Sequence, residues 1–231
     1  MSQSIQFKDG ILYVKDKMVS LKDKRVFVIG AGKASATMAV ELERILGNNV
    51  LTAGIVLSND TKSVPQKIKI HEADHPIPTE RSIEGAQKIL SLKEEFLIDE
   101  NDLIIALLSG GGSSLMAYPA EGISLTDKQK TIEALIKSGG NVHEITVIKK
   151  KISRIKGGKL ARHFYPAPIL ALVLSDVVGN NLEVIASGPL AKDTSTFTDA
   201  LRIINKRGIY NDIPETVLSF LEKNKDQNPE E

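Results

Sequence analysis

The fold is decided by the stretch Asp102-Leu-Ile-Ile-Ala-Leu-Leu108, which is followed directly by Ser-Gly-Gly-Gly-Ser-Ser at residues 109–114. Its apolar, partly β-branched residues predict a strand that is buried on both faces, as in a parallel sheet. Because the glycines end this strand, the loop from Ser109 to Ser114 lies at the carboxyl end of the strand.

This loop, the glycine loop, predicts a binding site for an anion. Three consecutive glycines lose more backbone freedom on ordering than other residues, so the absence of a Cβ must serve the close approach of something. Successive N–H groups can point at a phosphate or carboxylate, and serine hydroxyls add further donors. The candidate binding residues are Ser109, Gly110, Gly111, Gly112, Ser113 and Ser114. A glycine-rich strand-to-helix turn without a ligand is the alternative.

Composition limits the classes of function. The 231 residues suffice for one large α/β domain or two small ones. A net charge of +1 gives no reason to expect nucleic acid or an anionic membrane as a partner. The absence of cysteine excludes disulfides and thiolate chemistry. No apolar run reaches the roughly 18 residues of a membrane span, and no signal pattern opens the chain, so we expect a cytoplasmic location.

A first strand, turn and helix precede the glycine loop. Arg25-Val-Phe-Val-Ile29 predicts a buried strand, and Gly30-Ala-Gly-Lys-Ala-Ser35 predicts the turn into a helix, with Gly30 and Gly32 as candidate binding residues. The turn matches neither a Walker phosphate loop nor a complete dinucleotide turn. Lys33 in the first helical turn would oppose the helix dipole, and a bound anion would reverse that penalty. A solvated surface lysine is the alternative.

The loop His71-Glu-Ala-Asp-His-Pro-Ile-Pro78 follows a predicted strand at Lys67–Ile70. Two histidines and two carboxylates so close together are compatible with a metal site. The two prolines keep the loop extended, however, and consecutive ligands rarely surround one ion without a turn between them. The sequence therefore favours a loop that is ordered by its Asp and His hydrogen bonds and that lines a cleft.

A lysine-rich helix is predicted after Gly139-Gly140. Its apolar face comprises Ile145, Ile148, Ile152 and Ile155. Lys149 and Lys156 lie seven residues apart and hence on one stripe of the predicted helix. A solvated face is the usual role of such charges, but we name both lysines as candidates to reach the glycine loop.

A further buried strand, Pro168-Ile-Leu-Ala-Leu-Val-Leu174, is followed by Ser175-Asp176. Carboxylates at the carboxyl ends of parallel strands commonly bind Mg²⁺ or act as bases, because ligands bind at that edge of the sheet. Asp176 is therefore a candidate catalytic residue and metal ligand, with a helix cap or turn as the alternative.

Eight motifs occur in an order typical of one family. They are Gly30-Ala-Gly-Lys-Ala-Ser35, Asp74-His-Pro-Ile-Pro78, Leu108-Ser-Gly-Gly-Gly-Ser-Ser114, Pro119-Ala-Glu-Gly-Ile-Ser-Leu125, His143-Glu144, Ile155-Lys-Gly-Gly-Lys-Leu160, Leu174-Ser-Asp-Val177 and Ile185-Ala-Ser-Gly-Pro189. Across residues 25–205 the chain resembles the glycerate 2-kinases, whose second domain carries the MOFRL motif. Two positions depart from the family pattern: Thr146 stands where asparagine is usual, and Lys149 where arginine is usual.

The resemblance implies ATP-dependent phosphorylation of D-glycerate to 2-phosphoglycerate, with Mg²⁺ or another divalent cation, in a cleft between two domains. It also implies that Lys33 contacts the substrate and the transferring phosphoryl group. The general base stays open among Asp176, His75 and a residue of the second domain. Some relatives carry a hydroxypyruvate reductase label, which the incomplete dinucleotide turn disfavours. A non-catalytic phosphate- or carboxylate-binding module that acts with a partner chain is the remaining alternative.

We therefore predict a three-layer, Rossmann-like α/β domain with a mainly parallel sheet of about five or six strands flanked by helices. The domain would span residues 1–222, and residues 223–231 have the composition of a linker or tail. Nothing after residue 231 corresponds to the second domain, which we expect in cis or in trans. The sequence leaves open whether the protein forms a homodimer.

Overall fold

The computed structural model describes residues 5–47, 49–175 and 179–227. The strands are β1 (Ile5–Lys8), β2 (Ile11–Val14), β3 (Lys17–Ser20), β4 (Val26–Ala31), β5 (Leu51–Ser58), β6 (Ile68–Glu72), β7 (Leu103–Ser109) and β8 (Ile169–Leu174). The α-helices are α1 (Ser35–Leu46), α2 (Glu80–Phe96), α3 (Gly112–Leu115), α4 (Leu125–Lys137), α5 (Val142–Lys151), α6 (Lys159–Phe164), α7 (Phe197–Lys206) and α8 (Glu215–Lys223). Two short 3₁₀ helices span Ile185–Ser187 and Tyr210–Asp212.

Five parallel strands form the main sheet in the order β6-β5-β4-β7-β8, which confirms the predicted fold class. Every residue of β4 and β7 is buried, as expected of central strands with apolar residues on both faces. From β4 the chain builds outward through β5 and β6, then returns to place β7 on the other side of β4. The strand order therefore reverses between β4 and β7, and ligands of open α/β sheets bind at such a switch point.

Two apolar layers cover the sheet. Residues of α2, α3 and α6 pack on one face, and α1 packs on the other together with a small sheet made of β1, β2 and β3. The sequence predicts an edge strand or hairpin arm at Ile11–Val14. The hairpin arm is confirmed, because β2 pairs antiparallel with β1 and with β3. The edge position is wrong, because these two pairings make β2 the middle strand of the small sheet.

A separate helical cluster of α4, α5, α7 and α8 has its own apolar core. The spacing Ser124-x-x-Asp127 predicts a capping box at the start of α4. The Ser124 hydroxyl accepts the Asp127 N–H at 3.0 Å, which confirms Ser124 as the amino cap. Helix α5 ends at Lys151, so the predicted helical face that continues to Ile155 is wrong. Ile148 and Ile152 pack in the helical cluster, whereas Ile155 packs beneath the main sheet. Lys149 and Lys156 therefore do not share one helical stripe.

The predicted domain boundary at residue 222 falls in the last turn of α8, which ends at Lys223. A turn follows, and residues 228–231 lie outside the described residues, so the linker stays a prediction. Across the described part of the chain, no helix combines the length and the apolar character needed to cross a membrane.

Candidate functional site

The turn after β4 and the glycine loop after β7 meet at the switch point of the sheet. The Lys33 N–H donates to the Gly110 carbonyl at 2.9 Å, and the Ala34 N–H donates to the Ser109 hydroxyl at 3.0 Å. Two loops that are far apart in sequence are thus joined by direct hydrogen bonds. The Ser109 hydroxyl oxygen thus accepts a hydrogen bond from the protein backbone.

Gly30 and Gly32 are required by the close approach of these two strands. A Cβ at Gly30 would lie 2.2 Å from the Leu107 carbonyl oxygen, and a Cβ at Gly32 would lie 2.0 Å from the Ser109 hydroxyl oxygen. Gly32 also has a φ of +150°, which side chains rarely adopt. Its N–H donates to the Leu57 carbonyl at 3.1 Å. The geometry therefore gives both glycines a packing role, and their binding role stays a prediction.

The turn that leads into α1 is held by the protein's own hydrogen bonds. After Lys33 and Ala34, the Ser35 N–H donates to the Gly32 carbonyl at 3.1 Å, so the N–H groups of this turn already have acceptors. Lys33 precedes the helix, which begins at Ser35, rather than lying in its first turn as predicted. Its side chain is exposed, and within the described residues it forms neither a hydrogen bond nor an ion pair. The ammonium is thus available to a ligand.

Gly111 lies against two other residues that the sequence predicts for the site, Lys33 and His75. It has a φ of +83°, and a Cβ there would lie 2.8 Å from His75 Cδ2 and 3.1 Å from Lys33 Cγ. The backbone of the glycine loop is therefore in contact with the side chains of His75 and Lys33. Glycine is needed here both for the backbone conformation and for this approach.

The glycine loop keeps backbone donors available. Within the described residues, neither the Gly110 N–H nor the Gly111 N–H donates to a protein acceptor. The next turn begins helix α3, in which the Ser114 N–H donates to the Gly111 carbonyl at 3.0 Å. Adjacent N–H groups of this kind form anion-binding concavities, and the exposed Lys33 ammonium adds positive charge beside them.

A third loop, at residues 185–189, supports the glycine loop. The Ser113 and Ser187 hydroxyls lie 2.9 Å apart, and a Cβ at Gly112 would lie 3.1 Å from the Ala186 Cβ. Ala186 and Ser187 both have positive φ values, of 52° and 62°. Such conformations are costly for residues other than glycine and concentrate at functional sites. Sequence analysis included Ser187 only within a family motif and did not predict its contact with Ser113.

The loop that carries His75 is ordered by its own polar groups, as the sequence favours. Asp74 accepts hydrogen bonds from Thr79 and Arg81, and His71 Nε2 lies 2.8 Å from the Arg81 carbonyl oxygen. Gln129 of α4 donates to the Pro78 carbonyl at 2.7 Å and ties the loop to the helical cluster. In the ranges that the structure describes, no three His, Asp or Glu side chains are grouped to hold a metal ion.

Lys156 lies behind the glycine loop and is fully buried. Its ammonium donates to the carbonyls of Ser113, Met116 and Ala186 at 2.9, 3.2 and 3.2 Å. Burial lowers its pKa well below the ordinary value, and the charges of Lys128 and Lys149 lower it further. Lys156 reaches the glycine loop, as predicted, through the Ser113 carbonyl, and its three acceptors join α3 to the 185–189 loop. Its contact with a ligand stays a prediction.

Lys149 is half-buried, and burial lowers its pKa. Sequence analysis made no prediction for Lys128, which is 3% exposed and whose ammonium has no hydrogen-bond partner among the described residues. Burial, with repulsion from Lys149 and Lys159, lowers the pKa of Lys128 to about 7. The sequence contained a signal for this burial, because the helical spacing places Lys128 on the same face of α4 as Thr131 and Leu135.

The two following lysines are neutralised. Lys150 and Lys151 are both buried, and their ammonium groups lie 3.4 and 2.8 Å from the carboxylate of Asp193, which is 4% exposed. Lys150 also lies 3.4 Å from the half-exposed carboxylate of Glu183. These pairs fix α5 to the segment before α7.

Asp176, the predicted metal ligand and candidate base, lies outside the described residues. The described residues of the site offer N–H donors and ammonium groups, which suit phosphate or carboxylate. A Mg²⁺ site requires oxygen ligands, chiefly carboxylates, and the described residues bring no such set together. The donor set therefore fits an anionic ligand better than a cation.

Comparison with known proteins adds independent information. A family model described as "Domain of unknown function (DUF4147)" matches residues 1–222. A glycerate 2-kinase of Pyrococcus horikoshii is 43% identical over 220 residues, which cover 95% of this chain and 49% of the relative. A putative hydroxypyruvate reductase of Agrobacterium vitis is 42% identical over 198 residues, which cover 85% of this chain and 44% of the relative.

The crystal structure of a glycerate kinase from Thermotoga maritima superposes with a TM-score of 0.79 at 39% identity, covering 91% of this chain and 50% of that chain. The chain spans about half the length of the curated relatives it matches. The family model matches nearly all residues of this chain. The chain therefore belongs to the DUF4147 family, the domain family of the glycerate 2-kinases.

Proposed function

We propose that this chain supplies the phosphoryl-transfer site of a glycerate 2-kinase, which phosphorylates the 2-hydroxyl of D-glycerate with ATP. The observation that carries the proposal is the contact of Lys33 and His75 with the glycine loop at the switch point of the sheet. This cluster combines a cation, backbone N–H donors and a titratable ring within one small volume. The similarity to glycerate 2-kinases supports the choice of reaction.

In the proposed reaction the 2-hydroxyl oxygen of glycerate attacks the terminal phosphorus of ATP, and ADP leaves. Phosphoryl transfer is accelerated mainly by positioning and by neutralising charge on the phosphoryl oxygens. The N–H groups of Gly110 and Gly111 hold an anionic oxygen, and the Lys33 ammonium offsets negative charge beside them. No step is assigned to Mg²⁺, because the described residues lack a carboxylate set for it.

His75 is the candidate proton acceptor whose position the structure describes. Its ring borders Gly111 close to Lys33, and it forms no hydrogen bond within the described residues. The ring can therefore accept the proton of the attacking hydroxyl. Asp176 and a residue of a second domain remain the competing candidates.

Among the alternatives, a reductase receives no support from the turn after β4. Dinucleotide-binding folds place the pyrophosphate on N–H groups at the amino end of the first helix. Here the N–H groups of Gly32, Lys33, Ala34 and Ser35 donate to other protein groups. A binding module that acts with a partner chain differs from the kinase by its inability to transfer phosphate.

The test uses this chain assembled with a second domain, either in one polypeptide or as an added chain. ATP, D-glycerate and Mg²⁺ are supplied, and phosphorus NMR distinguishes 2-phosphoglycerate from 3-phosphoglycerate. We expect 2-phosphoglycerate from the assembly and no turnover by residues 1–231 alone, since a transfer site must enclose both donor and acceptor. Formation of 3-phosphoglycerate would contradict the regiochemistry. Ligand binding without transfer by the assembly would favour the binding module.

A further inference from the structure

A cluster of four lysines lies between α4, α5 and α6, and two of them have no partner in the described part of the chain. Lys156 donates to three backbone carbonyls, and Lys159 donates to the Lys150 and Ser153 carbonyls at 3.0 and 2.8 Å. Lys128 and Lys149 form no hydrogen bond or ion pair within the described residues. A buried ammonium without a partner is strongly unfavourable, so this pair requires an explanation.

The cluster borders the candidate site. Lys156 contacts the carbonyls of Ser113 and Met116 at the two ends of α3, directly behind the glycine loop. Gln129, the residue after Lys128, donates to the Pro78 carbonyl of the loop that carries His75. Lys128 and Lys149 are close enough to Lys156 for their charges to lower its pKa. The unpartnered pair thus lies next to the site and is not a distant surface feature.

We propose that Lys149, backed by Lys128, holds an oxyanion in a subsite beside the glycine loop, and that Lys128 takes up a proton from solvent as the oxyanion binds. Lys149 is half-buried, so solvent and a ligand can reach it, whereas Lys128 is 3% exposed. A carboxylate or phosphoryl group next to Lys149 replaces repulsion between the lysines with attraction.

The proton uptake follows from the groups that face Lys128. Within the described residues these are Lys149 from α5 and Lys159 from α6, which both lower the pKa of Lys128, and Lys156, whose own pKa Lys128 lowers; all are bases, and none of them favours a charged Lys128. With its pKa at about 7, the Lys128 amine is largely neutral at pH 8 in the unliganded protein. A bound oxyanion favours the ammonium, so binding adds a proton to the Lys128 nitrogen.

The chemical class of the ligand is an oxyanion, and two sources fit the proposed function: the carboxylate of the sugar acid and a phosphoryl group of the donor. The existence of the subsite rests on the lysines alone. Its assignment to glycerate or to the phosphoryl donor rests on the proposed function. The experiment below keeps these two questions separate.

The test is isothermal titration calorimetry of the 231-residue chain at pH 8 with inorganic phosphate and, separately, with D-glycerate. Each titration is run in two buffers with different heats of ionisation, which reports the protons taken up. We expect an uptake approaching roughly one proton for at least one probe, because the amine starts largely neutral. Binding of D-glycerate with uptake supports a carboxylate subsite, and binding of phosphate alone with uptake supports a phosphoryl subsite.

Lys128→Met should weaken that binding by at least about tenfold and abolish the uptake. Lys130→Met is the matched control, since Lys130 is exposed on the same helix and should leave both unchanged. A thermal melt establishes that each variant is folded. Unchanged affinity and uptake in Lys128→Met, or no binding of either probe by the parent chain, would overturn the subsite. Lys128-dependent binding in a chain whose assembled form transfers no phosphate would retain the subsite and refute only the kinase.

Discussion

Three consecutive lysines at the end of α5 lead into two different environments. Lys150 and Lys151 turn toward Asp193, and each of the three side chains is buried in an ion-paired group. Lys149 instead lies close enough to Lys128 to lower the pKa of Lys128, and the described residues provide no carboxylate partner for either lysine. Three consecutive lysines therefore belong to two groups: the charges of Lys150 and Lys151 are neutralised by a carboxylate, and the charge of Lys149 is not.

The difference separates cations that hold the fold from cations that are available to a ligand. A buried pair such as Lys151 and Asp193 satisfies its own hydrogen bonds and leaves nothing for a ligand. An ammonium without a partner among the described residues, such as that of Lys128, still lacks a counter-charge in the folded protein. Lys33 belongs to the second kind, although it is exposed. Removing a group of the first kind should therefore destabilise the fold, whereas removing one of the second kind should weaken ligand binding without destabilising the fold.

The largest effect is expected at Asp193. Asp193→Asn preserves the volume but removes the charge that neutralises two buried lysines. Burial raises the pKa of Asp193, yet the hydrogen bond and charge of Lys151 keep the pKa below its ordinary value, as expected of a well-paired carboxylate. We expect the free energy of unfolding to fall by about 3–5 kcal/mol, measured by urea denaturation at pH 7.

The control is Glu183→Gln. Glu183 also lies 3.4 Å from Lys150, but its side chain is 39% exposed, so the loss should stay below about 1 kcal/mol. Equal losses in the two variants would show that burial does not distinguish these pairs, and would remove the basis of the comparison.

Lys33→Met tests an unpartnered cation at the glycine loop. In the assembled enzyme, turnover should fall by at least about 100-fold, or about 3 kcal/mol of transition-state stabilisation, because the ammonium offsets charge on the transferring phosphoryl group. Stability should change little, since the side chain is exposed. Lys223→Met, which removes an exposed lysine from α8, is the control for the loss of one charge. A decrease of less than threefold at saturating substrates would make Lys33 a surface cation.

Much of the fold follows from the sequence because it depends on local apolar runs. The strands β4 and β7 and the loops at their ends are readable from residues 25–35 and 102–114, and their meeting follows from the rule for parallel sheets. The contact of Gly111 with Lys33 also follows, since both residues lie at the same sheet edge. The small sheet that contains Ile11–Val14 cannot be predicted in this way, because an isolated four-residue run does not show that the strand also pairs with β3.

The roles of the lysines were not predictable in the same way. The three acceptors of Lys156 lie 43, 40 and 30 residues away along the chain, so no local pattern indicates them. The predicted stripe of Lys149 and Lys156 failed because α5 ends at Lys151. Lys128 was readable as a lysine on an apolar helix face, but whether such a residue snorkels to solvent or stays buried depends on the helices packed over it.

Lys128→Met should stabilise the domain, in contrast to Asp193→Asn. The folded-state pKa of about 7 lies below the ordinary value of 10.5, so the unfolded chain binds the proton more tightly. The free-energy penalty of burying Lys128 therefore has its full size below about pH 7 and disappears as the pH rises toward 10.5. We expect a gain of about 2 kcal/mol at pH 7 that shrinks at pH 9.5, measured by urea denaturation. Lys130→Met should change stability by less than about 0.5 kcal/mol. A gain that does not depend on pH would mean that packing, and not the amine, is responsible.

The smallest effect is expected at Glu144, a second neutralised group. Its carboxylate accepts hydrogen bonds from Arg207, Lys206 and the Asn141 N–H, and its side chain is 8% exposed. The hydrogen bond from Arg207, more than any other cause, lowers its pKa from 4.5 to about 2.

Because the folded-state pKa of Glu144 is depressed, its contribution is complete above about pH 4.5 and is lost as the pH falls toward 2. Glu144→Gln should therefore reduce the free energy of unfolding by about 1–2 kcal/mol at pH 7, and the difference from the parent should narrow between pH 5 and 3, as followed by urea denaturation across that range. Glu133→Gln is the matched control. Glu133 pairs with Lys137 on α4, but both side chains are largely exposed, so the free energy of unfolding should stay close to that of the parent at every pH. If both variants lose the same small amount at every pH, the depressed pKa of Glu144 would have no consequence for stability. The contrast between neutralised and unneutralised groups would then rest on Asp193, Lys128 and Lys33.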